Sequence, residues 1–154
     1  MNSDRFTLKA QEVIQASDSI RHKYNHAQLS VEHCLKALID QKDGVIPPLF
    51  DKLGVDGGTL STEIDELLAG QPKVYGESTQ AELSAELANI LRQAEVEAEG
   101  LKDDFISTEH ILLAILNAKV PAREVLQRHG VTRDRVLQAL QAIPTPSPCA
   151  SRAA

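Results

Sequence analysis

Two stretches decide the fold: Leu29–Leu38, LSVEHCLKAL, and Ile106–Ile115, ISTEHILLAI, the same phrase written twice with a spacing of 77 residues. In each copy a serine precedes an apolar run, and its hydroxyl can accept from the free backbone N–H groups of a first helical turn. Glu32 and Glu109 add negative charge beside the positive end of that helix's dipole. From Ser30 the first copy continues through Leu35, Leu38 and Ile39 to about Lys42, with the spacing of a helix and not of a strand.

Working outward, Phe6, Ala10, Val13, Ile14 and Ser17 recur at offsets that share one helical face, so a helix precedes the first copy. Asp43-Gly44 ends the second helix, and Pro47 suits the first turn of a short third one carrying Leu49, Phe50 and Leu53. Gly54 reads as the left-handed residue after it, with Val55 as the apolar contact that accompanies such a cap. A fourth helix from about Leu60 to Leu68 is broken by AGQPKVYGEST.

The same shift carries the first helix's apolar set onto Leu83, Leu87, Ile90, Leu91 and Ala94. It also carries Ser30, Glu32, His33, Leu35 and Ala37 onto Ser107, Glu109, His110, Leu112 and Ala114. After one deletion, Gly54-Val55 falls on Gly130-Val131. A repeat sustained over four helices predicts an all-α domain of two pseudo-symmetric four-helix repeats, eight helices in all, over 1–143. Repeat one spans 4–70, a linker 71–79 and repeat two 80–143, while PTPSPCASRAA over 144–154 reads as a Pro-rich tail or linker.

Composition narrows the function. Apolar residues are 42% and charged residues 25%, as in an ordinary globular protein, but aromatics are only 3%, so the core is aliphatic. The net charge of −6 and the lack of a basic stripe argue against a nucleic-acid partner. No run approaches the 18 or more apolar residues of a membrane span, and the N-terminus has no signal-peptide core, so the expected compartment is the cytoplasm. There Cys34 and Cys149 are not expected to form a structural disulfide.

His22, His26, His33 and Cys34 raise the question of a metal site. HKYNHAQ reads as a helix end running into a loop, which spoils the spacing of His22 and His26, and no metal is expected. Cys34 and His33 are adjacent on a helix and point about 100° apart, so they make no nucleophile pair. Cys34 also matches Ile111, the mark of a core position. The repeated Glu-His pairs read first as architecture, glutamate complementing the dipole and histidine bonding at a helix junction.

FTLKAQEVI, LSVEHCLKAL, LFDKLGVD, PKVYG, DDFISTEHILLAIL and LQRHGVTRDRVLQAL together resemble the Clp N-terminal domain family, the module at the front of Hsp100-type AAA+ unfoldases, over about residues 4–143. KAQEVI, PKVYG and DDFIS lean toward the ClpB disaggregase type. The resemblance implies a non-catalytic domain that captures unfolded or aggregated polypeptides, or docks adaptor proteins, for an ATPase ring. No G-x-x-x-x-G-K-[ST] loop occurs, so no cofactor is expected in this chain; ATP and Mg would belong to modules outside it. By motif position the resemblance implies Thr7, Asp103 and Glu109 as polar substrate-binding residues, with Leu91, Phe105, Ile106 and Val13 as candidates for an apolar floor. In ClpC-type relatives the two EH glutamates bind phosphoarginine, which points to Glu32 and Glu109. The alternative is a free-standing double Clp-N protein that regulates a protease or chaperone ring.

Overall fold

The computed structural model describes residues 5–71 and 82–142. The PKVYG spacer, the Pro-rich tail and Cys149 lie outside the described residues. Among the described residues there are eight helices: α1 Leu8–Tyr24, α2 Val31–Asp40, α3 Ile46–Leu53, α4 Gly57–Ala69, α5 Ala85–Gly100, α6 Thr108–Leu116, α7 Pro121–Arg128 and α8 Arg133–Ala142. α1 and α5 begin 77 residues apart, as do α2 and α6, so the register read from the motifs is the register of the fold. α4 starts earlier than its apolar pattern suggests because the Asp56 carboxylate caps it, accepting from Gly58 N–H at 2.9 Å.

Each boundary has a local cause. Thr7 and Ser84 occupy equivalent N-caps, their hydroxyls accepting from Ala10 N–H and Leu87 N–H, each at 3.1 Å. Thr7→Ala and Ser84→Ala should therefore each cost about 1 kcal/mol, read as a shifted urea midpoint. α3 and α7 end on Gly54 and Gly130 at φ 73° and 83°. Behind those glycines, Val55 N–H reaches Phe50 O and Val131 N–H reaches Leu126 O, both at 2.9 Å, closing the left-handed caps.

α6, TEHILLAIL, is apolar around most of its circumference and must be surrounded; all nine of its residues are buried. It packs on α5, α2, α1, α7 and α8. α2 holds the matching position in the first half, against α1, α4 and α3. The halves meet through α2 on α6, α3 on α8 and α4 on α7, pairings that exchange under the repeat. Cys34 is buried among this core, and burial pushes its thiol up to about 12, which leaves it inert.

The halves are also laced together. Two two-residue strands, β1 Gln28–Leu29 and β2 Glu82–Leu83, pair in parallel, and Phe6 pairs in parallel with Ile106. Phe6 and Leu83 are repeat-equivalent, and so are Leu29 and Ile106. The segment before each half's first helix therefore pairs with the segment before the other half's second helix. Thr7 N–H donates to Ile106 O at 2.9 Å, and its counterpart Ser84 N–H donates to Leu29 O at 2.9 Å.

Candidate functional site

The Glu-His phrase is architecture with an unusual part. In both copies the histidine stands at the third helical position, where a capping box normally carries Glu or Gln. Ser30 N–H donates to His33 Nδ1 at 2.9 Å and Ser107 N–H donates to His110 Nδ1 at 2.8 Å. With Nδ1 accepting, the ring hydrogen sits on Nε2 and is given to a residue from the preceding turn. That residue is His26 in the first half, with His33 Nε2 to His26 Nδ1 2.8 Å, and Asp103 in the second, with His110 Nε2 to Asp103 Oδ2 2.8 Å.

The turn that aims His26 and Asp103 is also duplicated. Asn25 and Lys102 take φ 59° and 60°, and the next N–H bonds back to the helix, His26 to Arg21 O at 3.1 Å and Asp103 to Ala98 O at 2.8 Å. Asparagine accepts left-handed backbone readily, whereas lysine does so only at a cost of about 1 kcal/mol. The second turn is thus held under strain by the bonds around it.

The Phe6–Ile106 pairing gathers most of the residues implied by the resemblance. Thr7 abuts Ile106 through the 2.9 Å bond, Phe105 precedes Ile106 and is half-buried, and Asp103 anchors the same loop through His110. Arg5 adds an ion pair to Glu95 of α5 at 3.0 Å. Leu91, Ile106 and Val13 are 4%, 1% and 1% exposed, so the structure places them in the core and not on an open floor. The apolar surface here is instead Leu8, 75% exposed at the first position of α1, a residue that the repeat pattern does not single out. Glu109 is buried in the first turn of α6, and Glu32 is buried with Oε1 accepting from Gln71 Nε2 at 3.0 Å. The two glutamates hold repeat-equivalent places in the first turns of different helices, α2 and α6.

The Clp repeat (R) N-terminal domain model matches residues 5–129. The chain is 33% identical over 148 residues to the chaperone protein ClpB of Clostridium perfringens and 32% over 146 residues to that of Bacillus anthracis; each match takes in 93% of this chain and 17% of the relative. The chain thus spans 17% of the length of those curated relatives. In fold it is similar to the Hsp104 N-terminal domain from Candida albicans, with a TM-score of 0.78 at 21% identity over 89% of this chain and 90% of that one. It is also similar to a ClpV N-domain solved in complex with a VipB peptide, with a TM-score of 0.68 at 15% identity over 88% and 89% of the two chains.

Proposed function

Because this chain belongs to the Clp repeat N-terminal domain family, we propose that it is a non-catalytic binding module for an Hsp100-type ATP-driven unfoldase of the cytoplasm, taking hold of unfolded or aggregated polypeptides or docking adaptors. One observation carries the reading: the Phe6–Ile106 pairing assembles Thr7, Phe105 and the exposed Leu8 at a junction of the two halves. Such a surface suits a client's exposed apolar side chain, since burial returns ~25 cal/mol per Å² of apolar area before the entropic costs of binding. Few anchors and little enclosure make for weak, sequence-tolerant capture. The peptide-bound ClpV N-domain of the same fold supports a peptide-sized ligand. Among the described residues, no helix is long and apolar enough to cross a membrane.

The test is a titration of the domain into a fluorescently labelled, permanently unfolded model protein, followed by anisotropy. Leu8→Asp should weaken binding by about tenfold, the scale of one lost leucine contact. Leu83→Asp, at the equivalent bridge in the other half and 44% exposed, should leave it within about twofold of the parent. Equal binding by all three proteins, or none by the parent, refutes the assignment.

A further inference from the structure

His26 and His33 are 3% and 0% exposed, and their neutral pair has no spare basic nitrogen. His33 Nδ1 accepts from the Ser30 backbone, and His26 Nδ1 accepts from His33 Nε2–H. A proton taken up at either Nδ1 must break one of those bonds. Among the described residues, the charged groups around the pair are already engaged with one another. The Arg21 guanidinium, 1% exposed, donates to His26 O at 2.9 Å and lies 3.0 Å from His22 Nε2. The nearby carboxylate, Asp18, is engaged by Arg21 Nε at 2.8 Å. Tyr24 stacks on the His26 ring and hands its hydroxyl to Asp65, which Lys36 already pairs. Across Ser30, Gln71 bridges its hydroxyl and Glu32. In the second half the place of His26 is taken by the Asp103 carboxylate, a negative partner for the same histidine.

We propose that His26 and His33 form an acid-sensitive latch confined to the first half, whose protonation frees the turn after α1 and the Gln28–Leu29 strap from Glu82–Leu83 while the second half stays closed. The proton comes from solvent and lands on an imidazole nitrogen; no other bond order changes. Burial foremost, then the charges of His26 and Arg21, lowers the His33 pKa to about 4. The sign follows from that direction. A histidine held neutral in the fold contributes its full stabilisation above the unfolded value of about 6.5, and that contribution is lost as pH falls from there toward about 4. Within this window each pH unit lowers the closed-to-open ratio by up to about tenfold.

Hydrogen exchange of the 154-residue chain at about pH 7 and about pH 5, corrected for intrinsic exchange rates, reads the opening directly. Protection over 26–34 should fall by about tenfold relative to the equivalent 103–111. His26→Asp, which copies the second half, should bring the two stretches to within about twofold of each other at both pH values. Parallel loss in both halves, or an undiminished acid response in His26→Asp, overturns the proposal. If that variant does not fold, an NMR titration of the parent's imidazoles decides: His33 protonating well below the ordinary imidazole range supports the latch, and an ordinary value refutes it.

Discussion

Leu112→Ala should cost about 2–5 kcal/mol of folding stability, measured by urea denaturation. Leu112 is completely buried on α6, the helix that five others enclose. The price of a deleted leucine depends on how far its neighbours can relax into the space, and a site walled by helices from both halves has little freedom to collapse. Its repeat counterpart, Leu35, is also completely buried and should give a loss in the same range. Leu8→Ala, on the surface, should stay within about 0.5 kcal/mol of the parent. A Leu112→Ala loss below about 1 kcal/mol would contradict the central position of α6.

His110→Ala should cost about 2–4 kcal/mol, because one imidazole serves two buried groups. Its Nδ1 accepts from Ser107 N–H, and its Nε2–H reaches the Asp103 carboxylate, whose side chain is 8% exposed. Removing the ring takes both bonds and leaves a void. His110→Gln is the informative companion. A glutamine at this position restores the usual capping-box acceptor, and its loss should be smaller than that of alanine by about 1 kcal/mol. Equal losses for the two variants would mean that the cap bond contributes nothing, and that packing or Asp103 sets the whole effect.

The helices were legible because their signals are local. Apolar spacing from Phe6 to Ser17, a serine ahead of each Glu-His phrase and Gly54 with Val55 after α3 all act within a turn or two of themselves. The repeat then told which helices correspond. What escaped is non-local or side-chain-specific. Neither parallel bridge is longer than two residues, too short for any alternating pattern, and each joins residues far apart in the chain. Ile106 is buried in one of those bridges and Leu91 on α5, which packs on α6, and the sequence could not tell either from a groove residue, since a residue of the right type for a groove floor is equally the right type for a core. A signal for the histidine caps was present: serine followed three residues later by histidine, in both copies, is the spacing of a capping box with an unfamiliar third member. Aligning His26 with Asp103 would have shown where the copies differ in charge, although not that both side chains reach the same imidazole nitrogen.

Protein synthesis proceeds from the N-terminus, and the lacing sets an order on what can finish when. Arg5, Thr7 and Leu29 are made early, but of the groups they bond, Ser84 arrives only after α4 and Ile106 only after α5 has been translated. The first four helices thus leave the ribosome with both straps unmet, and α2 without α6 to cover it. Contacts this distant in sequence make folding wait on chain length. Each half becomes the other's template, and the domain closes as a unit only once α6, α7 and α8 have emerged, so a stalled or truncated nascent chain holds an open first half in need of protection.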